Sequence, residues 1–307
     1  MTGLMRATTF ANGMAVDLHI HSSISDGEYT PEKLVAMAKK AGLKAIAVCD
    51  HDTTEGSRQA VAAGKKYGVT VIPAVEVSAS LRGEVIHIVG YGIDHDHREL
   101  NEVLNTILDY RYKRAQSILA NINRELVETG KKPVNVQDIL DLGKEKPITR
   151  ADIAMYLLEK RYVKTRNEAF DRWLDKYNIS NKDFTVEEAI GAIHRAGGIA
   201  VLAHPSSPSM SLNTISTKLQ DHQTILSDLH HQGLDGVEVY RFLQPVEEET
   251  EYLGMVRAIG LLVTGGTDFH GPHYLGSAET IGAKEVPDSV LGPLRGAIAA
   301  RRAKNPS

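Results

Sequence analysis

Thirteen histidines occur in the 307-residue chain, and six of them stand with three carboxylates at or beside the ends of apolar runs. His19 and His21 close VDLHIH, with Asp26 just beyond; His51 follows AIAVCD; Glu76 lies late in VTVIPAVEV; His87 falls in VIHIVGY; His204 follows IAVLA; and Asp268 and His270 follow LLVTGG. Imidazole and carboxylate without thiolate suit Zn, Mn or Fe. At about three or four protein ligands per ion, these side chains would serve two or three divalent ions. A lone His-x-His is a weak signal, because histidine is often found part-buried for ordinary reasons. Its recurrence with carboxylates at six apolar runs is what a core-histidine account leaves unexplained. Ions held this way turn water into hydroxide at neutral pH and act as Lewis acids. His19, His51 and Asp268 are therefore the expected catalytic residues, acting through the ions they position. No protein nucleophile is needed, and the general acid stays open between an outer histidine and a metal-bound water.

The runs that carry these donors read as strands. Val16, Leu18 and Ile20 alternate with Asp17, His19 and His21, so both histidines share one face. Thr30 and Pro31 open a helix that Gly42 ends. AIAVCD, a helix to about Tyr67, VTVIPAVEV and VIHIVGY follow, giving the β-α-β-α-β order of an α/β protein. From 101 to 185 helical spacing takes over. Leu100, Val103, Leu104, Ile107, Leu108, Ala115, Ile118, Leu119, Ile122 and Leu126 mark one long helix stopped at Gly130, and shorter helices start at Arg150 and Arg166. Strands return at IAVLA, GVEVY and LLVTGG, and a last helix begins near Ser289. The expected organisation is residues 1–100 and 186–307 as a metal-binding barrel, with 101–185 as an inserted helical cap.

Composition bounds the function. The net charge is −4, which supplies no global field for a long nucleic acid. The insert nonetheless carries 16 Lys and Arg against 13 Asp and Glu, a mildly basic cap over an acidic remainder. The single cysteine, Cys49, forms no internal disulfide and reads as core. The first sixteen residues hold no signal-peptide core, and no run reaches the roughly 18 apolar residues of a membrane helix. A cytoplasmic protein with no membrane role and no obligate protein partner is expected.

The text DLHIHSSISDG (17–27), CDHD (49–52), VEVS (75–78), HIVGYGID (87–94), AHP (203–205) and TDFH (267–270) resembles the PHP (polymerase and histidinol phosphatase) family. The resemblance implies a distorted (β/α)7 barrel with a trinuclear site. In it His19, His21, Glu76 and Asp268 hold one ion, Glu76 with His87 and His204 a second, and Asp26, His51 and His270 the third. The insert is similar to that of the nucleotide phosphatase branch, which acts on nucleoside 3',5'-bisphosphates and short RNA ends. The expected substrate is thus a small phosphorylated metabolite, a nucleotide first. The alternatives are a sugar phosphate, a cyclic phosphate or the 5' end of short RNA.

Arg150, just after the N-cap Thr149, is the expected grip on a substrate anion, since its guanidinium and the free N–H groups of a helix start would converge there. The competing reading is a surface arginine paired with a carboxylate. Lys176 is the weaker second candidate, because NISNKDFT after Tyr177 departs from the glycine-rich text of that branch. His273 is a candidate for a supporting role beside TDFH, and Trp173 and Phe170 read as the core of the insert rather than as a base-stacking platform.

Overall fold

The fold comes from a computed structural model that describes residues 16–141, 147–179, 184–273 and 277–304. Of the first sixteen residues all but Val16, and positions 180–183 of NISNKDFT, lie outside the described residues. Strand β1 (Val16–Ile20), helix α1 (Pro31–Ala41), strand β2 (Ala45–Val48), helix α2 (Glu55–Tyr67) and strand β3 (Thr70–Val71) build a parallel sheet in the order β1-β2-β3. Thr30 accepts from the Lys33 N–H, Pro31 takes the first helical position and Gly42 ends α1 at φ 74°, as the sequence predicts.

The run VTVIPAVEV does not form one strand. Pro73 has no N–H for a ladder, so the chain breaks into β3 and strand β4 (Ala74–Leu81). Arg82 and Gly83, both at positive φ (52° and 86°), then make a tight hairpin into strand β5 (Glu84–Tyr91). Strand β6 (Ile199–Leu202) pairs antiparallel with β5, whereas β6, strand β7 (Gly236–Arg241) and strand β8 (Leu262–Gly266) run parallel. The α/β architecture is as expected, whereas the finer (β/α)7 arrangement is not reproduced as a closed barrel. The described residues form a three-stranded and a five-stranded sheet, with Pro73 and the Arg82–Gly83 hairpin between β3 and β5 where a β/α unit would place a helix. Single bridges join the sheets at two seams, His51 to Glu76 and Ile20 to Phe269. The candidate donors crowd those seams.

Between β5 and β6 lie helices α3 (Arg98–Glu128), α4 (Val136–Leu140), α5 (Arg150–Glu159) and α6 (Arg166–Ala169), then a π-helical turn over Phe170–Leu174 and helix α7 (Val186–Arg195). The first half of α3 buries Leu100, Leu104 and Ile107 against the five-stranded sheet with Val77 and Ile193. Its second half buries Ile118, Leu119, Ile122 and Leu126 in a separate core with Leu157, Leu174 and the fully buried Trp173. One helix thus belongs to both cores, and residue 101 marks no break in the packing. Helices α8 (Leu219–His231), α9 (Val246–Ile259) and α10 (Leu291–Lys304) cover the remaining sheet faces. Among the described residues no helix is long and apolar enough to cross a membrane.

Candidate active site

All nine nominated donors meet in one place. Donor atoms of His21, Asp26, His51 and His270 lie within 4.8 Å of one another, as do those of His19, His21 and Glu76 and those of His51, Glu76 and His87. His204 Nε2 stands 3.1 Å from Glu76 Oε1, and Asp268 Oδ1 stands 3.3 Å from His21 Nε2. The chain reaches this density by strain as well as by topology, since His204 and Asp268 hold positive φ (27° and 53°).

The contacts within the cluster suit a cation better than they suit one another. His19 Nε2 faces His21 Nε2 at 3.1 Å, and His87 Nδ1 faces His204 Nε2 at 3.2 Å. His51 Nδ1 and Glu76 Oε2 lie 2.9 Å apart, yet both lack a hydrogen-bond partner, as do His21 Nδ1 and His204 Nδ1. Buried polar atoms left without partners are costly, and a divalent ion between them removes that cost. Protonation agrees with ligand duty at His21 and the carboxylates. At His19, His51 and His270 burial is outweighed by the neighbouring carboxylates, which favour the imidazolium, so a bound cation must displace a proton there. Burial and the His270 charge push His21 down to about 3, which keeps its imidazole neutral. Burial raises Glu76, but His87, His19 and His51 outweigh it and hold the carboxyl well below its usual range. Asp26 and Asp268 are also held well below that range, burial again being outweighed, in both cases first by His270. His270 itself is raised to about 9, as Asp26 and Asp268 overcome burial. The set is nitrogen and oxygen only, and it fits divalent transition metals.

Four buried carboxylates behind the cluster escaped the sequence reading. Asp50 accepts from Ser22 N–H, Ser22 Oγ and Ser25 Oγ, fixing the loop that carries Asp26. Asp17 accepts from Thr267 N–H, Thr267 Oγ1 and Gly282 N–H, fixing the loop of Asp268. Asp52, itself at φ 53°, accepts from Ser78 N–H and from Arg111 of α3. Glu238 of β7 accepts from His19 Nδ1 and the His204 N–H. Each adjoins a nominated donor in the text or interrupts an apolar strand, a signal legible in DLH, CDHD and GVEVY.

A cavity of about 890 Å³ opens from the donors toward the insert. Arg111, Arg114, Arg150, Arg166 and Phe170 of the insert line it, Arg111 beside the donors through its bond to Asp52, and Arg241 lines it from β7. Among the described residues Arg114 bonds the neutral Asn178 Oδ1, and burial together with the Arg150 and Arg111 charges lowers it to about 10. Arg150 follows a Thr149–Asp152 capping box, lies over the Phe170 ring and bonds Asp175 Oδ1 at 2.7 Å. It both lines the cavity and pairs with a carboxylate. Lys176 does not line the cavity. It bonds Glu125 Oε2 at 3.0 Å beside Trp173 Nε1 and Tyr177 OH, which also donate to Glu125. Trp173 is core, whereas Phe170 sits at the core's edge and reaches the cavity. His273 donates to Glu28 and is largely exposed.

The PHP domain model matches residues 17–187. The chain belongs to the PHP domain family. Among similar proteins, a 5'-3' exoribonuclease from Haemophilus influenzae is 32% identical over 83% of this chain and 90% of that protein. A 3',5'-nucleoside bisphosphate phosphatase from Chromobacterium violaceum is 29% identical over 84% of this chain and 87% of that protein. A provisionally assigned metal-dependent phosphoesterase from Bifidobacterium adolescentis superposes with a TM-score of 0.78 at 28% identity, covering 92% of this chain and 96% of that one.

Proposed function

We propose that this PHP protein, a metal-dependent hydrolase of phosphoric esters, removes phosphate from a small phosphorylated metabolite, with a nucleoside 3',5'-bisphosphate as the favoured substrate. The observation that carries the reading is the cavity itself, which is lined both by the nitrogen and oxygen donors and by Arg111, Arg114, Arg150, Arg166 and Arg241. One phosphate at the donors and a second anion at the arginines would fill it. Two or three divalent ions, Mn, Fe or Zn, would be held by His19, His21, Asp26, His51, Glu76, His87, His204, Asp268 and His270. When bound, they lower the pKa of water and neutralise phosphoryl charge. His19, His51 and Asp268 set the position of the reacting centre. Arg150, helped by Arg114, orients the second phosphate by charge-assisted hydrogen bonds. The segment 101–185 serves as the cap that chooses the substrate.

A second reading, hydrolysis at the 5' end of short RNA, is supported by the likeness to the Haemophilus exoribonuclease and by the insert's basic excess. One panel separates the readings: phosphate or nucleotide release from nucleoside 3',5'-bisphosphates, mononucleotides, 5'-phosphorylated short RNA, sugar phosphates and cyclic phosphates, with Mn, Zn and Fe. The bisphosphates are expected to give the highest kcat/KM. Preference for RNA would move the function to the second reading, and preference for sugar or cyclic phosphates would overturn both.

A further inference from the structure

Glu238 is fully enclosed in the interior, 1% exposed, on a strand whose neighbours Val237 and Val239 are also buried. A carboxylate there is costly unless its oxygens are used. Both are used. Oε1 lies 3.1 Å from His19 Nδ1, and Oε2 accepts the His204 backbone N–H at 2.8 Å. An ionised carboxylate only accepts, so Nδ1 of His19 must carry a proton, and Nε2 is the nitrogen turned toward His21, Glu76 and Asp268. The same carboxylate anchors the backbone of His204 where that residue is held at φ 27°, a conformation that needs outside support.

We infer that Glu238 is a positioning residue for the metal centre: it fixes His19 as the Nδ1–H tautomer with Nε2 facing the ions, and it holds His204 in place from behind. Two candidate ligands from different strands, β1 and the end of β6, are thereby set by one side chain from β7. Glutamine replaces it poorly, since it removes the charge and leaves a single oxygen to serve both donors, Oε2 standing 2.8 Å from His204 N but 3.3 Å from His19 Nδ1. The inference rests on the metal-dependent reading above.

The test loads the purified full chain with Zn2+, a diamagnetic probe, and measures two quantities that do not involve turnover. Long-range 15N NMR of histidine-labelled protein, with His19 assigned by the signal absent from His19→Gln, is expected to show the ring proton on Nδ1. Calorimetric titration is expected to show Zn2+ binding about 10- to 100-fold weaker in Glu238→Gln than in wild type. Glu238→Asp keeps both accepting oxygens and is expected to recover part of that loss. A ring proton on Nε2 in the wild type overturns the inference without any variant having to fold. So does a folded Glu238→Gln that binds Zn2+ as tightly as wild type. Failure of the wild type to take up Zn2+ removes the metal-dependent reading, and this inference with it.

Discussion

At the donor cluster, ionisable side chains are buried, crowded and short of partners, whereas in the insert they are exposed and satisfied by one another. His19, His21 and Glu76 have no exposed surface, yet imidazole nitrogens confront each other and Glu76 Oε2 has no hydrogen bond. In the insert, Glu125 alone takes bonds from Trp173, Lys176 and Tyr177. A chain does not spend burial on mutually repelling groups for stability, because each such group costs free energy on folding. The contrast teaches that the cluster's order is directed at something absent from the polypeptide. Most of the insert's charges serve its own structure. Arg114 and Arg150, at the cavity, are where the two regimes meet.

Removing the ions breaks the contrast most sharply. Exhaustive chelation is expected to abolish phosphate release, and Mn2+ or Zn2+ to restore it. Saturating metal at about 100 times its dissociation constant is expected to stabilise the fold by roughly 2.7 kcal/mol, read as a rise in Tm. Retention of full activity with no more than trace metal by elemental analysis would show that the crowding serves another end.

His19→Ala, His51→Ala and Asp268→Ala are each expected to lower kcat/KM by more than about 100-fold while leaving a cooperative unfolding transition, since they act through the ions they place. Wild-type turnover with unchanged metal content removes that residue from the site.

Arg150→Ala sharpens the boundary. Loss of a charge-assisted contact of about 1.5 to 3 kcal/mol predicts a 10- to 150-fold fall in kcat/KM for a bisphosphate, at constant metal content. A simple aryl phosphate is expected to lose far less. Equal losses would place Arg150 in support of the fold, through its bond to Asp175, rather than on the substrate.

The smaller effects belong to the insert. Its neighbours Trp173, Lys176 and Tyr177 lower Glu125 to about 2, the Trp173 bond first. A carboxyl with a depressed folded pKa contributes stability above its unfolded value near 4.5, and that contribution is lost as pH falls toward 2. The chain's one tryptophan, Trp173, is thus expected to report a fluorescence change across that window that Glu125→Gln removes. Lys176→Ala is expected to change kcat/KM by less than about twofold, as befits a solvated ion pair within the insert. A loss on the scale of Arg150→Ala would return Lys176 to the substrate.

The nine donors were legible because each occurs where an apolar run ends, and strand periodicity alone turns His19 and His21 to one side. Local chemistry also marked the helix starts at Thr30, Thr149 and Thr185, where a hydroxyl three residues before a backbone N–H makes a cap. The regular β/α alternation of the expected barrel is interrupted at Pro73 and at the Arg82–Gly83 hairpin, both visible in the text. Their effect depended on which strands would pair, and pairing across sheets is not a local property.

The sequence by itself determined the donor set, the helical character of 101–185 and the caps, since residue type, period and hydrogen-bonding reach act over a few neighbours. Only tertiary structure decided that Arg111 reaches Asp52, that Lys176 turns to Glu125 and that Glu238 stands behind His19, 219 positions away in the chain. Those contacts exist because elements distant in sequence pack side by side, and which buried carboxylate ends beside which imidazole is fixed by that packing alone.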